Sequence, residues 1–273
     1  MATVGSVLTA VAVAYLAICL LMWLFQERLL FLPGIPGRAL EATPQALGLP
    51  FEEVTLATAD AVRLHGWWVP APGARHTVLH LHGNAGNVSH RLQVLQVLHE
   101  LGVNVLLFDW RGYGRSDGKP TEAGLQQDAD AAWAYLTQQR GIAPRDIVLH
   151  GQSMGGPFAA GLAARVRPAG LILESTFTSV PEMAAQLYWW LPARWLARLR
   201  LDTLGALAEV RCPVLVVHSQ ADEIIPYTHG ERLYAAAREP KRLLTIGGDH
   251  NAGFWSSRDA YAAGLRDFLA TLP

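Results

Sequence analysis

Short apolar runs separated by longer amphipathic stretches set the rhythm of this chain. Residues 77–81, 103–108, 147–149, 171–173, 214–217 and 243–246 are continuously or almost continuously apolar, and turn residues bound each run. A run without polar alternation suits a strand covered on both faces. The stretches at 88–100, 121–140, 157–166 and 227–237 are long enough for crossover helices. Strand and helix in alternation predict a parallel, doubly wound sheet with right-handed crossovers. Ahead of this pattern, 51–57 and 62–69 are two β-like runs around Ala59-Asp60, which predicts an antiparallel pair at the sheet edge. The expected architecture is α/β, with a mostly parallel sheet of eight strands.

Two intervals break the rhythm. Residues 2–25 contain no charged side chain. At ~1.5 Å per helical residue, about 20 residues cross a hydrocarbon core of ~30 Å. The segment is therefore read as a transmembrane helix. A cleaved signal peptide is the competing reading, weakened by the lack of a basic n-region and by the length of the apolar run. The nearby positive charges, Arg28 and Arg38, follow the span and lean towards a cytoplasmic C-terminal domain. Two charges do not fix the side of the membrane. The second interval, between Ser175 and Pro213, is longer than one crossover helix needs. It mixes Leu187, Tyr188, Trp189, Trp190, Leu191 and Trp195 with Arg194, Arg198 and Arg200. It is too apolar for a solvated loop and predicts a small helical cap at about 176–210. Tyr188, Trp189 and Trp190 are candidate acyl-chain contacts, against the plainer reading of a packed cap. The expected organisation is an anchor at 1–28, a linker at 29–50 and one α/β domain at 51–273.

Composition changes this picture little. Across 273 residues the formal charge is −1 and basic residues do not cluster, so there is no footprint of a nucleic-acid binder. Cys19 and Cys212 stand far apart in apolar runs and suggest neither a disulfide framework nor a zinc site.

The chemistry is concentrated at Gly151-Gln152-Ser153-Met154-Gly155, between a short buried strand and an alanine-rich helix. A chain that turns from strand to helix this abruptly strains its central residue and lifts the Ser153 hydroxyl above the sheet, near a helix N-terminus. A serine hydroxyl needs a base to remove its proton, and the base needs an acid to orient it. In a doubly wound sheet these partners come from loops at the carboxyl ends of later strands. Asp222 and His250 occupy those places, with Glu174 as the rival acid. His82-Gly83-Asn84-Ala85-Gly86-Asn87 follows the first central strand and can turn backbone N–H groups towards an oxyanion. Asn84 is the expected donor there, with Ala85 second; the N–H of Met154 is the other. His80, His82 and His90 carry no interleaved carboxylate, and no metal or cofactor is expected. Asp109-Trp-Arg-Gly-Tyr-Gly-Arg-Ser116 completes no phosphate-binding glycine motif and is read as a bracing turn.

With His82-Gly83-Asn84, Asp109-x-Arg111-Gly112-x-Gly114-x-Ser116, Gly151-x-Ser153-x-Gly155, Asp222 and His250 in this order, the chain resembles the α/β-hydrolase superfamily from about residue 51 to the end. The apolar N-terminus followed by Gln26-Glu-Arg-Leu-Leu-Phe-Leu-Pro33 and His82-Gly-Asn-Ala-Gly-Asn87 is similar to a membrane-anchored branch that includes protein depalmitoylases. The resemblance implies an α/β-hydrolase fold and a serine hydrolase with a Ser153–His250–Asp222 triad; the anchor and the aromatic cap favour esters or thioesters with an apolar acyl part as substrates. It leaves a serine peptidase of the aminopeptidase type as the alternative enzyme, and a catalytically silent membrane-tethered binding module as the alternative of another class. The chain departs from many relatives at Asp249, where glycine is common.

Overall fold

The computed structural model describes residues 2–273. Eight strands form one sheet: β1 (Glu52–Ala57), β2 (Arg63–Val69), β3 (Thr77–Leu81), β4 (Asn104–Phe108), β5 (Ile147–Gln152), β6 (Gly170–Glu174), β7 (Val214–Ser219) and β8 (Lys241–Ile246). Their order across the sheet is β1-β2-β4-β3-β5-β6-β7-β8. β1 pairs antiparallel with β2, and β2 with β4; every later pairing is parallel. The expected antiparallel pair thus sits at one edge of the parallel sheet.

Among the described residues, eleven α-helices accompany it: α1 (Ala2–Leu24), α2 (Gln26–Leu30), α3 (Leu92–Glu100), α4 (Glu122–Ala134), α5 (Gly155–Arg165), α6 (Val180–Leu187), α7 (Ala193–Leu196), α8 (Thr203–Leu207), α9 (Tyr227–Ala236), α10 (Gly253–Ser256) and α11 (Arg258–Leu269). The core divides according to strand periodicity, since successive residues point to opposite faces. Leu106 and Phe108 join Leu125, Phe158 and Leu233 on the face covered by α4, α5 and α9. Val105 and Leu107 join Leu95, Leu265 and Phe268 on the face covered by α3 and α11. β3 and β5 are buried throughout, as continuous apolar runs require. β8 differs: it is the outermost strand and only Ile246 is fully buried, because no further strand covers its free side.

Two expected boundaries shift. Only α6 and α7 form the cap, whereas α8 packs against α5 and belongs to the body. The stretch 29–50, expected as a linker, is tied to the domain. Phe31 is part of the main core. The Gly86 N–H donates to the Ile35 carbonyl at 2.6 Å, the Asn87 carboxamide to that of Ala39 at 2.9 Å, and the Glu41 N–H to the Ser89 hydroxyl at 3.0 Å. This segment is a strap laid over the β3–α3 loop.

Candidate active site

Ser153 occupies the turn between β5 and α5 with φ of 50°, the left-handed strain that the strand–turn–helix pattern predicts. The turn closes only because its flanks lack side chains. A Cβ on Gly155 would run into the carbonyl of Leu81, and one on Gly151 would come within 2.6 Å of the Ala159 side chain. The Ser153 carbonyl accepts from Thr176 Oγ1 at 2.6 Å, and its N–H donates to the Glu174 carbonyl at 2.8 Å. The two contacts fix the strained residue from the end of β6 and the loop that follows it.

His250, on the loop after β8, places Nε2 3.0 Å from Ser153 Oγ and Nδ1 2.8 Å from Asp222 Oδ2. The proton must therefore sit on Nδ1, leaving Nε2 to accept from the hydroxyl. The Asp222 Oδ1 atom accepts the backbone N–H groups of Ile224 at 3.0 Å and Ile225 at 2.7 Å. Burial pushes the Asp222 carboxyl up, but hydrogen bonds from His218, His250 and the Ile225 N–H outweigh it and hold it well below the usual carboxylate range. An ionised Asp222 is thus built in.

Glu174, the rival acid, goes elsewhere. Buried at the end of β6, it accepts from His150 Nε2 at 2.9 Å, Gln152 Nε2 at 2.9 Å and Tyr261 OH at 2.5 Å. It supports the elbow from below. Other supports carry no sequence signature. Glu223 accepts the His250 N–H at 2.9 Å, and His218 Nε2 stands 3.5 Å from Asp222. Asp249 accepts the N–H of Ala252 at 2.7 Å and so caps its own turn.

The loop after β3 faces the serine: a Cβ on Gly83 would come 3.1 Å from that of Ser153. Among the described residues, the N–H groups of Asn84 and Met154 have no acceptor, whereas that of Ala85 is taken by Asn84 Oδ1 at 3.0 Å. The Asn84 side chain is clasped by the strap: Oδ1 accepts from Leu32 N at 3.0 Å and Tyr113 OH at 2.7 Å, and Nδ2 donates to the Leu30 carbonyl. The Asp109–Ser116 turn braces this loop rather than the elbow, since Asp109 Oδ1 accepts the Val88 N–H at 2.8 Å and Trp110 Nε1 donates to the His82 carbonyl at 2.9 Å.

The three histidines of this region turn to separate partners. His80 meets His150, His82 Nδ1 meets the Gly83 carbonyl, and His90 accepts the Asn87 N–H and faces Glu41. Burial pushes the His82 pKa down to about 4, helped by the Arg91 charge and opposed by Asp109. Burial likewise lowers His80 well below its ordinary value, helped by His150. Below ~6.5 an unfolded chain takes up protons that the folded one refuses, so stability falls as pH drops towards 4. His82 alone accounts for about 3 kcal/mol over that window. A thermal midpoint that stays level between about pH 7 and about pH 5 would contradict this reading.

A family model described as Serine aminopeptidase, S33 matches residues 72–208. An uncharacterized protein of Mycobacterium tuberculosis is 40% identical over 248 residues, covering 90% of this chain and 87% of its own. The α/β hydrolase domain-containing protein WAV2 of Arabidopsis thaliana is 36% identical over 239 residues, covering 80% of this chain and 78% of its own. The chain belongs to the α/β-hydrolase superfamily. Its fold matches that of the Pyrococcus furiosus esterase Pf2001 with a TM-score of 0.72 at 22% identity, over 86% of this chain and 97% of that one. It is a hydrolase of the α/β type.

Two cavities of this α/β-hydrolase meet at Ser153 and His250. One, of about 460 Å³, is apolar and runs between cap and strap, past Leu29, Leu30, Phe177, Met183 and Leu196. The other, of about 310 Å³, is polar and reaches Gln93, Arg91 and Asn251. Tyr188 lines the apolar cavity, but Trp189 and Trp190 do not. That corrects the sequence expectation for both tryptophans. Helix α6 ends at Leu187, and the turn closed by Leu191 N–H on the Tyr188 carbonyl at 2.8 Å swings them onto the surface.

Proposed function

We propose that this hydrolase cleaves carboxylic esters or thioesters with an apolar acyl group, through a Ser153–His250–Asp222 triad and an acyl-enzyme. The observation that carries the reading is the hydrogen-bonded Ser153–His250–Asp222 relay opening onto an apolar cavity. Ser153 Oγ attacks the acyl carbon while His250 Nε2 takes its proton, and Asp222 stabilises the imidazolium. The N–H groups of Met154 and Asn84 receive the oxyanion. The tetrahedral intermediate collapses, the C–O or C–S bond breaks, and His250 returns the proton to the leaving alcohol or thiol. Water then repeats the sequence on the acyl-enzyme and releases the acid. No step requires a metal or a cofactor.

The same reading assigns α1 as a single-pass membrane anchor: residues 3–24 are apolar, with only a small share buried against the domain. An aminopeptidase must also hold a substrate ammonium group. Neither cavity has a carboxylate in its lining, and the polar one contains Arg91, which favours the ester reading. The test is a series of p-nitrophenyl esters from acetate to laurate, run beside acyl thioesters and aminoacyl anilides. Each methylene buried is worth up to ~0.8 kcal/mol, so kcat/KM should climb with chain length until the cavity is filled. A preference for the anilides would transfer the assignment to the peptidase.

A further inference from the structure

The N-terminal helix and the cap are packed as one unit. Tyr15 OH donates to the Trp190 carbonyl at 3.3 Å, and Cys19 is buried against Leu191 and Ala193. The Arg198 guanidinium lies 4.6 Å from the centre of the Trp23 ring. Gln26 donates to the Leu196 carbonyl at 2.6 Å and accepts the Arg198 N–H at 2.7 Å. These contacts run from Tyr15 to Gln26, and Tyr15, Cys19 and Trp23 lie inside the apolar span Thr3–Leu24. An anchor that places this span in the hydrocarbon core brings the cap packed on it to the lipid.

Trp189 is 82% exposed, Trp195 88% and Leu187 57%, and the exposed Arg194 and Arg198 stand among them. Neither Trp189 nor Trp195 lines the cavity, so substrate packing does not account for their exposure. Tryptophan with interspersed arginine is the composition of a membrane–water interface, where the arginine heads reach back to the headgroups. The apolar cavity reaches the same level, because Met22 of α1 and Tyr188 of the cap both form its wall.

We infer that the cap lies within one leaflet of the bilayer, with Trp189 and Trp195 in lipid, so that the apolar cavity opens onto acyl chains. The substrate is then a membrane-resident acyl ester or thioester rather than a dissolved one. This rests on the reading of α1 as an anchor and of Ser153 as the nucleophile. It adds that the helix and cap together form the entrance through which the acyl chain leaves the leaflet.

The full chain is reconstituted in phosphatidylcholine vesicles with an environment-sensitive fluorophore on Trp195→Cys or, at the other end of the sheet, on Arg75→Cys. The label at 195 should shift to the blue and be quenched by lipid-borne nitroxide, while the label at 75 reports water. A label at 195 that reports water on protein floating with the vesicles overturns the inference and leaves the anchor standing. Protein that does not float removes the anchor, and the inference with it. In activity, the double variant Trp189→Ser, Trp195→Ser should lose at least about tenfold on a long-chain ester carried in vesicles, while a soluble short-chain ester is cleaved as before. Equal rates on the vesicle substrate, or equal losses on both, overturn the inference. Wild-type protein that cleaves neither substrate instead defeats the ester reading.

Discussion

Asp222→Asn should lower turnover by about 10⁴-fold with little change in KM, as the same replacement does in other triads. Among the described residues the Asp222 carboxylate is the sole partner of His250 Nδ1, at 2.8 Å, and its other oxygen is held by two backbone N–H groups. Asparagine fits the same space, so the fold should survive. If its amide nitrogen faces Nδ1, the histidine proton moves to Nε2, and the ring can no longer accept from Ser153. If its oxygen does so, the imidazolium formed during attack loses its counter-charge. Either way the base fails. Glu174→Gln is the matched control, because Glu174 contacts His150, Gln152 and Tyr261 but not His250. It should cost stability, since a buried acceptor is weakened, and less than about tenfold in turnover. Steady-state kinetics on one soluble ester ranks the two, and the reverse ranking would make Glu174 the acid.

Deleting residues 2–41 should lower kcat by about 10²- to 10³-fold on a soluble short-chain ester, the size of effect seen when an oxyanion donor is lost. Deleting residues 2–24 should leave the rate on that ester within a few-fold, by the same argument. The difference between the two deletions is the strap. Carbonyls of Leu30, Ile35 and Ala39 and the N–H of Leu32 hold Asn84, Gly86 and Asn87, the loop that presents the expected oxyanion donor. Removing Phe31 also opens the core, so circular dichroism must accompany the rates. Asn84→Ala separates the two effects: it keeps the backbone donor and the core but breaks the clasp, and kcat should fall with KM nearly constant. Unchanged kcat in Asn84→Ala would reduce the strap to packing.

Much of this was legible in the chain itself. Continuous apolar runs such as 77–81 and 214–217 announce strands buried on both faces, and the intervals between them announce helices. At the elbow, Gly151 and Gly155 are needed by steric contacts that any side chain would violate, so the motif and the backbone are the same statement. Asp222 and His250 were visible because parallel topology confines partners to strand ends. What was hidden depends on contacts without a residue signature. The strap works through main-chain carbonyls, so 29–50 looks like a linker. Glu223 grips a backbone N–H, and His218 comes from the strand before Asp222. For Trp189 and Trp190, direction was decided by where α6 stops, and helix ends are the least readable feature of a sequence.

The central claim is that Ser153 carries an activated hydroxyl. A fluorophosphonate reagent tests it, because only a serine stripped of its proton attacks phosphorus at a useful rate. Mass spectrometry of the treated, folded protein should find one adduct, on the peptide containing Ser153, that disappears in Ser153→Ala and forms far more slowly in His250→Ala. A folded protein that takes up no label, or one labelled equally well in Ser153→Ala, would contradict the account.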